Sequence, residues 1–321
     1  MDAIAIRPRV DPAFRNDVLA GLAAPVPAVP ARWFYDHRGS ELFEAITELP
    51  EYYPTRTEAD LLRRHSHEFA RLLGRGEAVV EFGSGSSTKT PILLSAIRPG
   101  AYVPIDISGD FLRESADALQ AQFPGLPIHP VEADFMRPIT LPAEVTWMQK
   151  LGFFPGSTIG NLVARTAVDL LRVMKETLGE GARLLIGMDR IKDVNVLLNA
   201  YDDAAGVTAA FNLNLLHRIN AELVGDIPVD AFRHRAIWND PLSRIEMHLE
   251  AVRDVSFTVS GERFSFREGA TIHTENSHKY GHRDSRILLR AAGWGVVQEW
   301  TDEKEWFSIL LAEAEPPRFA P

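Results

Sequence analysis

The stretch Ala78-Val79-Val80-Glu81-Phe82-Gly83-Ser84-Gly85-Ser86-Ser87 constrains the fold of this chain more than any other. An apolar run, two closely spaced glycines and a polar lead into Thr88-Lys89-Thr90-Pro91-Ile92-Leu93-Leu94 spell strand, tight turn and helix. Glycine permits the turn and lets the backbone approach a ligand with no Cβ in the way. The helix start offers unpaired N–H groups. A second apolar run, Ala101-Tyr102-Val103-Pro104-Ile105, ends on Asp106. That acid lies roughly 20 positions beyond Gly83, where nucleotide-binding folds place a ribose-binding carboxylate. A pyrophosphate fingerprint needs a third glycine, which is missing here. Its absence, with Glu81 before the turn and a Ser/Thr-rich continuation, favours S-adenosylmethionine over NAD. The same stretch also suits a plain strand–helix connection with no ligand.

From residue 77 onward, short apolar runs alternate with amphipathic stretches. Strands are expected at 77–82, 101–105, 127–131, 152–155 and 183–188, with helices at 109–122 and 163–178. This rhythm predicts a parallel sheet covered on both faces, with ligands beyond the carboxyl ends of its strands. Gly83, Gly85, Asp106, Asp134-Phe135, Gly156-Ser157-Thr158 and Asp189 fall there. After 190 the rhythm breaks. An amphipathic stretch covers 192–224, and period-two segments follow at 233–239, 244–249 and 255–259, as in antiparallel strands with one polar face. The segments 293–298 and 306–311 read as a hairpin completing the sheet. Near the N-terminus a short helix is expected at about 12–21. A proline-spaced connector, Ala23–Pro30, follows it, and then a helix capped by Thr57.

Composition narrows the partners. A net charge of -10 argues against nucleic acid and against an anionic membrane surface. With no cysteine, neither a disulfide nor a thiolate zinc site is possible. Residues Met1–Arg9 lack a signal core, and no apolar run approaches the ~20 residues that span a bilayer. A cytoplasmic monomer acting on small molecules is expected. His65 with His67, and His278 with His282, lack ligand spacing with a matching carboxylate, so no metal is expected.

Tyr35, the block Glu51-Tyr52-Tyr53-Pro54-Thr55-Arg56-Thr57-Glu58, the glycine turn, Gly156-Ser157-Thr158-Ile159-Gly160-Asn161, the run from Tyr201 to Asn212 (YDDAAGVTAAFN) and Thr274-Glu275-Asn276-Ser277-His278-Lys279 occur in order. Through them the chain resembles the L-histidine Nα-methyltransferases of ergothioneine biosynthesis, from about residue 12 to the C-terminus. The resemblance implies an α/β fold: a Rossmann-like S-adenosylmethionine-dependent methyltransferase domain (57–190 plus 281–321) and an α+β substrate-binding domain (1–56 plus 191–280). It implies three methyl transfers to the α-amine of histidine, through its mono- and dimethyl forms, giving hercynine. Cofactor contacts map onto Tyr35, Gly83, Lys89, Asp106, Asp134 and Phe135. Substrate contacts map onto Tyr52, Gly156, Thr158, Asn161, Tyr201, Met247, Glu275 and Ser277, with Met247 shaping the imidazole pocket. Relatives acting on tryptophan exist, and a non-catalytic amino-acid sensor would keep the same pocket.

The residue chemistry is consistent with these assignments. Methyl transfer from a sulfonium needs an amine held in line with the S–CH3 bond, and a route for its proton. Asn161 can accept from an amine and donate to a carboxylate, and Tyr201 can donate to the same carboxylate. Asn161 also suits a cap on the helix at 163–178. Water or the phenol of Tyr35 or Tyr52 is the candidate proton relay, and the two tyrosines with Asn161 make three candidate catalytic residues. Glu275 and Ser277, two apart, share one face of a strand and can read an imidazole edge, the serine as donor or acceptor. A buried carboxylate left unpaired disfavours an apolar ring. Trp33, Phe34, Tyr35, Phe43, Tyr52 and Tyr53 supply aromatic faces suited to a quaternary ammonium product. Asp134-Phe135 suits an adenine site, and Lys89 the methionine carboxylate of the cofactor. Lys89 would equally serve as a solvated helical lysine.

Overall fold

The computed structural model describes residues 11–73, 76–85 and 89–316. Ser86, Ser87 and Thr88 of the glycine turn, and the segment read for a signal core, lie outside the described residues. Asp11 starts α1 (Pro12–Ala23) by accepting from the Ala13 and Phe14 amides. Asp36 starts α2 (His37–Thr47) by accepting from the Gly39 amide. The helix α3 (Tyr53–Arg64) begins before Thr57 rather than at it. Pro54 sits in its first turn, where a missing N–H costs no helical bond. Thr57 lies inside the helix, and its hydroxyl donates to Tyr53 O at 2.9 Å.

After α4 (Ser66–Leu72) come β1 (Ala78–Phe82), α5 (Thr90–Ile97), β2 (Ala101–Asp106), α6 (Gly109–Gln122), β3 (Val131–Glu132), β4 (Lys150–Phe154), α7 (Ala164–Leu178) and β5 (Arg183–Asp189). The strand expected at 127–131 shrinks to β3 plus an isolated bridge between Ile128 and Tyr102. Pro127 and Pro130 have no N–H to give to a ladder. The expected stretch 192–224 divides into α8 (Val194–Tyr201) and α9 (Val207–Leu223). The break lies at Gly206, whose φ of 73° favours glycine. Asp203 then caps α9, its carboxylate accepting from the Val207 amide at 2.9 Å and the Thr208 amide at 2.7 Å. The chain continues with β6 (Phe232–Asn239), β7 (Arg244–Ala251), β8 (Val255–Val259), β9 (Glu262–Phe266), β10 (Thr271–His278), α10 (His282–Ala291), β11 (Trp294–Thr301) and β12 (Phe307–Ala314).

Two compact units result. One holds the chain up to Glu51, Val194–Asn239 and Ile245–Asn276; the other holds Tyr52–Asp193, Asp240–Arg244 and the chain from Ser277. The second contains a seven-stranded sheet of order β11-β12-β5-β4-β1-β2-β3. The neighbours from β5 to β3 are parallel, while β12 runs antiparallel to both β5 and β11. The predicted terminal hairpin thus completes the sheet. β1 is buried along its whole length, as expected of a central strand covered on both faces. Val80, Phe82, Phe154, Leu171, Ile186 and Trp294 build one core, while Val79, Leu93, Tyr102, Phe153 and Phe307 build the other. Strand order reverses between β1 and β4, which places the ligand crevice beyond the carboxyl ends of those two strands. In the first unit a three-stranded sheet, β10-β7-β6, and the antiparallel pair β8-β9 accompany α1, α2, α8 and α9.

Candidate active site

In the second unit the glycine turn closes over the ends of β1 and β2. The Gly83 and Ser84 amides both donate to Ile105 O, at 2.8 and 3.1 Å. Gly83 and Gly85 have φ of 71° and 47°. A Cβ on Gly83 would sit 3.3 Å from the ring of Phe135, so the turn and that ring are neighbours. Asp106 accepts from the Gly85 amide at 3.0 Å through one oxygen and from the Ser108 amide at 3.0 Å through the other. A carboxylate accepts about four hydrogen bonds, so two remain for ribose hydroxyls. Asp134 accepts from the Met136 amide at 3.0 Å and so holds the bend that delivers Phe135. Gly83, Asp106, Asp134 and Phe135 therefore gather where the sequence placed them, and this chemistry fits an adenosyl group.

Beneath the turn lies Glu81, buried, accepting from Thr90 Oγ1 at 2.7 Å and Tyr102 Oη at 2.6 Å. Burial pushes its carboxyl up to about 7, against the pull of those two hydroxyls and of Lys89.

A second cluster centres on Glu58, the last residue of the EYYPTRTE block. It accepts from Lys89 Nζ at 2.5 Å and from the Gly156 amide at 2.8 Å. A Cβ on Gly187 would fall 2.0 Å from its other oxygen, so the glycine in β5 makes room for this carboxylate. Lys89 is not a solvated helical lysine: it precedes α5 and is paired with a buried acid. Gly156, φ 78°, and Ser157, φ 56°, turn the chain after β4. Thr158 Oγ1 donates to Pro155 O at 2.9 Å. Gly160 packs against the His278 backbone, and His278 Nδ1 lies 2.8 Å from Gly160 O. Asn161 ends this 3-10 turn and does not cap α7, whose N-cap is Val163. The capping alternative for Asn161 is thereby removed.

A third cluster surrounds Asp189 at the end of β5. Tyr53 Oη donates to it at 2.7 Å, Lys192 Nζ at 2.5 Å and Lys279 Nζ at 2.7 Å. Burial opposes the charge on Asp189, but the two lysines outweigh it and hold the carboxyl below its usual range. Burial pushes Lys192 down to about 8 despite Asp189. Tyr52, buried, precedes α3, and its carbonyl accepts from Arg56 at 3.2 Å.

In the first unit Asn212 ties the elements around Tyr201 and Met247. Its Nδ2 donates to His234 Nδ1 at 2.8 Å and to His248 O at 3.1 Å. Its Oδ1 lies 2.8 Å from Thr274 Oγ1, which also lies 3.0 Å from Met247 O. Because Nδ1 of His234 accepts, Nε2 carries the proton and donates to Tyr201 O at 2.8 Å. Burial holds His234 below its usual range. Tyr35 meets Phe43 and Phe211 edge-on at 5.6 and 5.8 Å. Glu275 lies on β10 two residues before Ser277, so strand alternation gives the two one face. Three of the four histidines weighed as metal ligands have separate partners: Glu68 for His65, Gly160 for His278 and Glu299 for His282. Elsewhere Glu246, His248 and His273 come close together; there His248 Nε2 faces Glu246 and His273 Nε2 faces Glu275 O.

Sequence reasoning assigned no role to Glu58, Asn212 or Lys279, although each sits inside a quoted block, and read Tyr53 only as an aromatic face. A polar residue at the end of each block was the available signal.

The parallel sheet with its antiparallel seventh strand is a Rossmann-like methyltransferase fold. It superimposes on the methyltransferase CcbJ of Streptomyces caelestis with a TM-score of 0.50 at 14% identity, over 88% of this chain and 100% of that one. The S-adenosylmethionine-dependent, histidine-specific methyltransferase family matches residues 14–314, and the chain belongs to that family. It is 42% identical over 306 residues to the histidine N-alpha-methyltransferase of Mycolicibacterium smegmatis, covering 94% of each chain. It is 31% identical to ergothioneine biosynthesis protein 1 of Neurospora crassa, over 89% of this chain and 33% of that one. No described helix is long and apolar enough to cross a membrane.

Proposed function

We propose that this chain transfers three methyl groups in succession from S-adenosylmethionine to the α-amine of histidine, giving hercynine for ergothioneine synthesis. The family match over residues 14–314 carries the reading, and the relative named for N-alpha methylation of histidine gives the position of transfer. The donor supplies a methyl carbon on a sulfonium, whose charge is neutralised by transfer. The residues at the ends of β1 and β2 support its adenosyl end: Asp106 for the ribose, Asp134 and Phe135 for adenine, and Gly83 for close approach. Lys89 and Tyr35 serve its amino-acid end.

For the acceptor, Asn161 and Tyr201 fix the amino-acid carboxylate and amine, with Gly156 and Thr158 shaping the turn beside Asn161. Met247, Glu275 and Ser277 read the imidazole. The amine gives up one proton per transfer, and the phenols of Tyr52 and Tyr35 relay it. Holding the nitrogen on the S–CH3 axis is the main contribution asked of the protein.

Mass spectrometry of histidine incubated with S-adenosylmethionine and the protein is the test. Species with one, two and three added methyl groups are expected, accumulating as the last. Methylation of tryptophan but not histidine, or of neither, would overturn the reading.

A further inference from the structure

The fold makes unusual provision for the carboxylate of Glu58. One oxygen accepts both from Lys89 Nζ at 2.5 Å and from the Gly156 amide at 2.8 Å. The other oxygen is buried, and no donor among the described residues reaches it. It occupies the room that the missing Cβ of Gly187 leaves in β5. A buried ion pair of this kind stabilises no better than apolar side chains of similar volume. Lys89 and Gly156 belong to the connections that follow β1 and β4, so the pair stands where strand order reverses. A Cβ on Gly156 would lie 3.4 Å from Lys89 Nζ, which makes the ammonium and that turn neighbours. The lysine side chain is 14% exposed and that of the acid 1%, so a ligand can meet the lysine but not the acid.

An ammonium has three donors. Among the described residues only Glu58 accepts from Lys89 Nζ, so two donors remain for a ligand. Lys89 directly precedes α5, and the start of a helix favours anions by itself. A lysine with no counter-charge at such a place would hold phosphate as a point charge. Adenine nucleotides share the adenosine half of the proposed donor and differ at the end that Lys89 serves. The donor ends there in an amino acid, with one ammonium, one carboxylate and no net charge. A nucleotide ends in a phosphate of about -2 at neutral pH. Lys89 and Glu58 together also carry no net charge.

We propose that Glu58 is a specificity-determining residue of the donor site: it cancels the charge of Lys89, so that the site takes the zwitterionic end of the methyl donor and rejects nucleotide phosphates. The donor's carboxylate receives hydrogen bonds from the remaining N–H groups of Lys89. A phosphate could receive the same bonds, but its extra charge loses hydration and meets no net positive partner. Glu58 acts through Lys89 and touches no ligand. The inference rests on the donor being an adenosyl sulfonium and on Lys89 reaching its amino-acid end.

Calorimetry gives the affinities of S-adenosylhomocysteine, methylthioadenosine and adenosine monophosphate for the wild type, Glu58→Gln and the double variant Glu58→Gln/Lys89→Gln. Glutamine keeps an oxygen for the Gly156 amide and removes the charge. Methylthioadenosine has no charge at this end, so it reports on the adenosyl part of the site alone. Measured against methylthioadenosine, adenosine monophosphate should bind Glu58→Gln at least about tenfold more tightly than it binds the wild type. S-adenosylhomocysteine should shift by less than about threefold, because its two charges respond in opposite senses. The double variant, with neither charge, should return to the wild-type ratio. An unchanged ratio in Glu58→Gln overturns the proposal. Equal weakening of all three ligands does so too, since it marks a purely structural role, and so does a gain that survives in the double variant. Salt supplies a test that needs no variant. On the wild type, adenosine monophosphate should not weaken against methylthioadenosine as salt rises from about 0.01 M to 0.15 M; a clear weakening reveals an uncancelled lysine and overturns the proposal. A wild type that binds neither S-adenosylhomocysteine nor methylthioadenosine sinks the donor reading, and this inference with it. Binding of both with an unchanged ratio in Glu58→Gln sinks the inference alone.

Discussion

Glu81 is a carboxylate placed where water cannot reach it, under the turn that approaches the donor. Its pKa, pushed up to about 7 by burial, means that the folded chain holds a proton there between pH 4.5 and 7 that the unfolded chain has released. Stability therefore declines as pH rises through that window and levels off above it, at a cost of about 3 kcal/mol when fully ionised. Glu81→Gln keeps an oxygen for Thr90 and Tyr102 and removes the charge. The variant should melt at or above the wild-type temperature at pH 8, with the two curves converging at pH 5. A lower midpoint at pH 8 would show that the ionised form is the one the fold needs. This acid was visible in the sequence as part of a motif. Its protonation behaviour was not, because it depends first on burial by the folded chain, offset in part by Tyr102, brought alongside by the pairing of β2 with β1.

Helices and strands differ in how plainly their sequences announce them. The helix α6 was predicted with its observed bounds, 109–122, because polar and apolar positions alternate at helical spacing between two breaks. The division of 192–224 escaped the same reasoning, since amphipathic periodicity runs on both sides of Gly206 and only the cap marks the new start. That cap makes a prediction. Asp203→Ala removes an acceptor for two amides and should cost about 1–2 kcal/mol in denaturant melts. Because α9 carries Asn212, which is tied to Thr274, His234 and the β7 backbone, histidine affinity should fall several-fold more than cofactor affinity. Equal losses for both ligands would place α9 outside substrate binding. The gathering of Gly83, Asp106 and Phe135, proposed for the adenosyl side, was legible because they lie at the ends of successive parallel strands. The residues proposed for the acceptor side came from the family resemblance, since Tyr201, Met247 and Glu275 lie far apart in sequence and strand patterning gives no reason to group them.

At the scale of the whole molecule, two buried histidines oppose the acid preference of Glu81. His234 is buried in its neutral form and held below its usual range, and burial together with His273 lowers His248 as well. The unfolded chain takes up protons at about pH 6.5 that the folded histidines refuse, so their contribution to stability is intact above that value and lost as pH falls below it, opposite in sign to that of Glu81. Unfolding followed against pH should show this loss, and His234→Gln should reduce the slope by up to ~1.4 kcal/mol per pH unit. An unchanged slope would locate the proton uptake elsewhere. The course of the backbone carries a last consequence. It passes between the two units at 51/52, 193/194, 239/240, 244/245 and 276/277. Neither unit is a contiguous piece of polypeptide, so no single cut in the chain releases either one whole. Ring preference in this lineage thus cannot be transplanted as a cassette; it has to be rewritten residue by residue, on strands that stay sewn into the rest of the enzyme.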